Sequence, residues 1–365
     1  MVGNYFRKRY KNLSVKNKKK ISAVPKNALV ELTNVCNHAC VFCTNPMMKR
    51  KNNNLDFKVF ENFIKKSIDE GLEEVGLYST GEPFMTKDLH KYIGRAKELG
   101  IKRVYITTNG ALATLNKVIK CINAGLDSLK FSINAGTRET YKIIHGYDDF
   151  NKVIKNIDDV YNYKLKNKIN LTLFASFVVT NLTKNQTDIF KKKYGKYFDD
   201  MLIQNSRNQG GRTLSTNEKI TSQIKTDGSN IFEYAKDPEI EKNKDDTEKS
   251  KLAPCGMLWE RLHLSSEGYL TACCEDYEND LVYEKFDNKK SIFSQFNNKT
   301  MQDLRVKHLE GKLEGSICKG CLLNKKYEYE KLTDVKVEEN KPNLKKANSL
   351  KNRILKATNE TTNKT

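Results

Sequence analysis

The 365-residue chain predicts an α/β fold: a partial (β/α)6 barrel followed by a small C-terminal cysteine-rich domain. Three observations carry that expectation. From residue 27 to about 205, short β-branched runs alternate with amphipathic stretches, which is how successive βα units on a parallel sheet read. The chain has nine cysteines, and seven of them sit in short metal-like spacings. An odd number so arranged disfavours a disulfide framework and favours metal ligation. A polar stretch then separates the barrel cysteines from those near the C-terminus.

Residues 1–26 form a basic N-terminal segment, and the barrel is expected over residues 27–210. Its strands are expected near Ala28–Leu32, Glu74–Leu77, Arg103–Thr107, Ser128–Ile133, Asn170–Val179 and Met201–Gln204. The intervening helices are expected at Asp56–Glu70, Lys87–Leu99, Leu112–Ala124, Phe150–Lys166 and Lys184–Lys193. Gly71, Gly100 and Gly125 follow three of these helices, where a left-handed C-cap belongs. Residues 211–250 have few large apolar side chains and read as an insertion or linker. The cysteine-rich domain is expected over residues 251–325, with Trp259–Leu264 and Tyr269–Cys274 as a hairpin around Gly268. Residues 326–365 are charged and read as a disordered tail with at most one helix.

The net charge of +20 would suit an anionic partner, but its distribution weakens that inference. Residues 1–27 carry nine Lys or Arg and no acid, and residues 340–365 carry seven against Glu360 alone. Much of the excess therefore lies in tails. No basic motif is interleaved with aromatics, so nucleic acid is not the expected partner. The chain lacks an apolar run of about 18 residues and the apolar core of a signal peptide, and the expectation is a cytoplasmic protein with no membrane span.

In the stretch Asn34 to Pro46, three thiols, Cys36, Cys40 and Cys43, lie at intervals of four and three residues directly after a predicted strand. A loop of that spacing can wrap three corners of a [4Fe–4S] cluster and leave one iron open to a small chelating molecule. A zinc knot is the alternative. It would need a fourth ligand, and His38 lies too close in the loop to be an obvious one. Phe42, just before the last cysteine, can pack against an adenine or simply fill the loop.

The motif Cys36, Cys40, Phe42 and Cys43 resembles the CxxxCxΦC signature of the radical S-adenosylmethionine (SAM) family. Thr80–Pro83 (TGEP) resembles the family's glycine-rich GGE motif, with Thr80 in place of the first glycine. Thr107–Gly110 and Phe131–Asn134 resemble the later strand ends that contact the cofactor. All four motifs fall at the carboxyl ends of predicted strands, where parallel α/β sheets bind ligands. By resemblance, Phe42, Gly81, Glu82, Asn109, Ser132 and His145 contact SAM. His145 occupies the region where relatives often place an Arg for the SAM carboxylate. The implied activity is reductive cleavage of SAM to a 5′-deoxyadenosyl radical that abstracts hydrogen from a substrate. An electron donor such as a flavodoxin or ferredoxin is implied with it.

Cys255, Cys273, Cys318 and Cys321 form a second four-ligand set whose spacing resembles the SPASM/twitch type of auxiliary-cluster domain. Neighbouring Cys273 and Cys274 point to opposite faces of a strand, and the distance from Gly268 picks Cys273. Only Cys121 and Cys274 remain, too few for a third site, so the resemblance implies the shorter twitch type with one second [4Fe–4S] cluster. Structural zinc on the same thiolates is the alternative, and Cys121 reads as a buried small residue. Twitch-type relatives include an aminocyclitol alcohol dehydrogenase and the cyclase of molybdenum cofactor synthesis. The expected substrate is a sugar, cyclitol or related metabolite. A peptide or protein substrate is the runner-up, and a non-catalytic iron–sulfur or RNA-binding role is a third reading. Arg207, Gln209 and Arg212 are candidate substrate contacts near the last barrel strand.

Overall fold

The computed structural model describes residues 18–180, 182–205, 209, 254–323, 328–335, 338–339 and 352. Residues 1–17, Arg207, Arg212, the 211–250 stretch and most of the 326–365 tail lie outside the described residues.

One sheet of nine strands runs in the order β6-β5-β4-β3-β2-β1-β7-β8-β9. Its barrel strands are β1 (Asn27–Val30), β2 (Glu74–Gly76), β3 (Arg103–Thr108), β4 (Ser128–Ser132), β5 (Thr172–Val179) and β6 (Asp200–Asn205). All six pair in parallel with their neighbours. One face of the sheet is apolar and packed under helices, where Val75, Val104, Leu129 and Leu173 are fully buried, while Tyr105 and Lys130 on the other face are half-buried. Each such side chain contributes roughly 1.5–3 kcal/mol by leaving water.

The crossover helices are α1 (Phe57–Asp69), α2 (Leu89–Glu98), α3 (Leu115–Asn123), α4 (Arg138–His145), α5 (Phe150–Lys166) and α6 (Thr187–Tyr194). Five lie where the pattern places them. The Asp56 carboxylate accepts from Val59 N–H and caps α1, while Gly71, Gly100 and Gly125 adopt φ of +102°, +107° and +98° after α1, α2 and α3. Helix α4 was not expected. It is short, begins at the Thr137 cap, and ends at Gly146 in the left-handed region.

The cysteine-rich segment continues the barrel sheet. After a helical turn α7 (Met257–Glu260), where a strand was expected, β7 (Leu262–Leu264) pairs in parallel with β1. Strands β8 (Tyr269–Thr271) and β9 (Val282–Lys285) then add antiparallel. Three helices follow: α8 (Ile292–Phe296), α9 (Lys299–Glu310) and α10 (Ile317–Leu323). No helix among the described residues is long and apolar enough to cross a membrane.

A buried ion triad fastens this segment to the barrel. Arg50, 1% exposed, donates to both Glu31 oxygens at 3.0–3.2 Å, to Glu267 at 2.7 Å and to the Tyr277 carbonyl at 2.6 Å. Burial alone would raise the Glu31 carboxyl, but the Arg50 guanidinium holds it below its usual value. Ser266 N–H adds a further bond to Glu31 at 3.0 Å. The hairpin turn is thus tied to the end of β1, next to the cysteine loop.

Candidate cluster and cofactor site

The loop after β1 carries Cys36, Cys40 and Cys43, and the loops after β2, β3 and β4 close around it. None of the nine cysteines is in a disulfide, and the triplet is half-buried. Gly81 makes the first contact necessary. A Cβ there would stand 2.3 Å from Thr33 O and 2.7 Å from Val35 O, so only glycine lets the TGEP loop lie against the chain entering the triplet. Glu82 N–H donates to Val35 O at 2.9 Å and fixes that approach. Asn45 ties the far side, donating to Asn34 O at 2.9 Å and Thr80 O at 3.0 Å.

Glu82 is 3% exposed and serves as a strut between two of these loops. Its carboxylate accepts from Thr108 Oγ1 at 2.6 Å, Asn109 N at 2.8 Å and Phe84 N at 3.1 Å. Burial nevertheless pushes its carboxyl up. Three of about four acceptor positions are thereby used within the protein, leaving one for a ligand amine.

Each thiol has a polar neighbour suited to a thiolate. Asn109 Nδ2 lies 3.9 Å from Cys36 Sγ and donates to Asn37 Oδ1 at 2.8 Å. His145 Nδ1 lies 3.5 Å from Cys40 Sγ, and Asn45 N–H donates to Cys43 Sγ at 3.4 Å. The donor set fits a thiolate-held group: three unpaired-by-disulfide sulfurs on one loop, each beside a nitrogen.

His145 is 1% exposed and stands beneath Cys40. Its Nε2 lies 2.7 Å from the Ile133 carbonyl and its Nδ1 faces Cys40 and His38, so its ring nitrogens are engaged by the protein. These contacts place the ring under the triplet loop. Ala39 N–H donates to His145 O and Val41 N–H to Ile144 O, so the end of α4 supports Cys40 from both sides. Phe42 meets the His145 ring edge-on at 6.5 Å. Ser132, at the end of β4, shares a hydrogen bond of 2.9 Å with Ser176 on β5. Gln209 is drawn into this group: its Oε1 accepts from Thr44 N–H at 2.9 Å and its Nε2 donates to Tyr277 at 3.0 Å.

The second cysteine set converges as its spacing implies. Cys255, Cys273, Cys318 and Cys321 line one cavity with Leu258 and Ile317. Burial pushes the Cys318 thiol up to about 12, with Cys255 and Cys321 adding to the effect. Thiols this crowded and buried ionise together only when a metal takes up their charge. His308 lines the same cavity; its Nδ1 accepts from Cys255 N–H at 3.4 Å, and its buried Nε2 has no hydrogen-bond partner among the described residues. A sulfide or thiolate of a bound cluster would supply that partner. Cys274 does not line this cavity and lies in a polar pocket with His263, Glu31 and Arg50. Cys121 is buried on α3, as expected of a small core residue.

Sequence reasoning missed His308, Tyr277, Asn45 and the Glu31–Arg50 pair. Only position in the fold reveals them, although Arg50 follows the triplet closely and Tyr277 follows Cys274 closely.

The family model of the radical SAM superfamily matches residues 30–185. A probable GTP 3′,8-cyclase of Saccharolobus islandicus is 28% identical over 297 residues, 73% of this chain and 87% of that protein. Among solved structures, Streptococcus suis SuiB bound to the precursor peptide SuiA is 17% identical with a TM-score of 0.59, over 86% of this chain and 77% of that one. BtrN in complex with AdoMet and 2-DOIA is 16% identical with a TM-score of 0.52, over 83% and 94%. The two structures share the fold.

Proposed function

We propose that this chain, which belongs to the radical SAM superfamily, is an enzyme that oxidises a polyhydroxylated small metabolite such as a sugar or cyclitol. When bound, SAM and a [4Fe–4S] cluster on Cys36, Cys40 and Cys43 supply the radical that removes hydrogen from substrate. Within that reading, Gly81 and Glu82 shape the SAM amine site, and Asn109, Ser132 and Phe42 line its remaining contacts. His145 holds Cys40 rather than SAM. An external electron donor such as a flavodoxin or ferredoxin starts each turnover.

The observation that carries the oxidative reading is the single cavity shared by Cys255, Cys273, Cys318 and Cys321, on a segment joined edge to edge with β1. These four cysteines would hold a second cluster, which would supply an acceptor for the electron left on a substrate radical. The fold match over 94% of BtrN, a structure in complex with AdoMet and 2-DOIA, is in keeping with a small-molecule substrate. The relative named as a probable GTP 3′,8-cyclase supports a small metabolite as well.

The second reading is modification of a peptide, favoured by the fold match to SuiB, which was solved with its precursor peptide. Counting 5′-deoxyadenosine and product in one anaerobic assay tests the proposal. With a polyol substrate, the Cys318→Ala/Cys321→Ala variant should keep SAM cleavage and lose product, since steps served by different groups fail separately. Stimulation of SAM cleavage by peptides and not by polyols would favour the second reading.

A further inference from the structure

His38 and His145 stand 107 residues apart in the chain, yet their Nδ1 atoms meet at 3.3 Å. His145 Nδ1 is also 3.5 Å from Cys40 Sγ, and the three donor atoms all lie within 4.8 Å of one another. Both rings are 1% exposed, whereas Cys40 is only half-buried. The far nitrogen of each ring faces oxygen: His38 Nε2 lies 3.1 Å from Asp149 Oδ2, and His145 Nε2 lies 2.7 Å from Ile133 O. Asn134 Nδ2 also approaches His145 Nε2, at 3.4 Å.

An imidazole that gives its N–H to an oxygen on one side presents a lone pair on the other. Two such lone pairs at this separation repel unless a cation lies between them, either a proton or a metal ion. The two short distances, 3.3 and 3.5 Å, match a metal. Tetrahedral bonds of about 2.0–2.1 Å to nitrogen and about 2.3 Å to sulfur put neighbouring ligand atoms roughly 3.3–3.7 Å apart. The outer contacts match too, because metal-bound histidines characteristically give their second N–H to a carboxylate or a backbone carbonyl.

We infer that His38, Cys40 and His145 form a mononuclear site for a borderline divalent cation of the zinc type, with its fourth position open to water on the exposed side of Cys40. The site shares Cys40 with the cluster triplet, so one loop has two exclusive metal states. That exclusivity rests on the cluster assignment above; the mononuclear site does not. In the mononuclear state Cys36 and Cys43 remain available, and the arriving cluster must displace the cation to claim Cys40.

The test uses full-length chain carrying Cys36→Ala, Cys43→Ala, Cys318→Ser and Cys321→Ser, which removes both cluster sites, titrated with Co2+ without oxygen. The expected result is one bound Co2+ with tetrahedral visible bands and a single-thiolate charge-transfer band, displaced by Zn2+. Adding His38→Gln or His145→Gln should weaken binding at least about 100-fold, and Asp149→Asn about 10–100-fold. Near-ultraviolet circular dichroism checks that each variant is folded. If the fourfold variant does not fold, the metal-free wild-type chain is compared with its His38→Gln form. Absent visible bands, or bands unchanged by either histidine substitution in a folded chain, would overturn the site and leave a shared proton. In wild-type chain, one equivalent of zinc should slow iron–sulfide reconstitution at the triplet; an unchanged rate would overturn the exclusivity. A triplet that takes up no cluster even without zinc would sink the cluster assignment while leaving the cobalt result intact.

Discussion

Tyr277 Oη lies 3.8 Å from Cys43 Sγ, so a residue carried just after Cys273 and Cys274 reaches the last cysteine of the barrel triplet. Burial, and next the neighbouring Cys43, push its phenol well above the usual range, so it stays a neutral O–H. The segment that carries Cys273 and Cys274 thus also reaches the barrel triplet.

Tyr277→Phe should change the electron paramagnetic resonance signal of the reduced barrel cluster while leaving iron content at the wild-type level. Loss of the bond to Gln209 should cost about 0.5–1.5 kcal/mol of stability. A spectrum indistinguishable from wild type would mean that the contact does not reach the cluster.

Arg50→Met leaves Glu31 buried without its partner and should destabilise the protein by about 3–5 kcal/mol, read by denaturant unfolding at neutral pH. Glu31→Gln in the same chain should recover part of the loss. Glu31 is held below its ordinary carboxyl value, so its contribution is present above about pH 4.5 and is lost as pH falls through the folded value. The Arg50→Met chain should lack that acid-side loss.

Gly81→Ala forces a methyl group to 2.3 Å from Thr33 O, against backbone that cannot swing away. The triplet loop must shift. Iron should fall from about eight to about four per chain, because the second cysteine set is untouched. Full iron content in this variant would show that the loop tolerates the displacement.

His308→Phe removes the buried nitrogen that has no partner among the described residues beside the four-cysteine cavity. Four irons should still bind there, but the reduction potential of the second cluster should fall, since a hydrogen-bond donor to it is lost. Potentiometric titration with both clusters resolved reads this directly. An unchanged potential would place Nε2 away from the cluster.

The six barrel strands were legible because short apolar runs, several of them β-branched, alternate with amphipathic stretches along the chain. Helix α4 was not, since only Tyr141 and Ile144 of its apolar residues, with His145, are buried in an eight-residue span. Nothing local records that β7 pairs with β1, a contact more than 200 residues apart in the chain. The same division holds at the site. The cysteines were legible because ligand spacing is a local property, and the spacing from Gly268 picked Cys273, although β8 ends at Thr271, before both cysteines. Glu82 and His145 were visible as residues, but their partners Thr108, Asn109, Ile133 and His38 come from other loops. Those partners recast Glu82 as a strut and His145 as a support for Cys40.

The central claim is that Cys36, Cys40 and Cys43 hold the cluster that cleaves SAM. The most direct measurement counts iron and 5′-deoxyadenosine together in anaerobically purified, reduced protein, for wild type and for the triple Cys36→Ala/Cys40→Ala/Cys43→Ala variant. Wild type should carry about eight irons and form 5′-deoxyadenosine with methionine, and the variant should keep about four irons and form neither. Equal 5′-deoxyadenosine from the two proteins, or stoichiometric zinc in place of iron at the triplet of wild-type protein, would contradict the account.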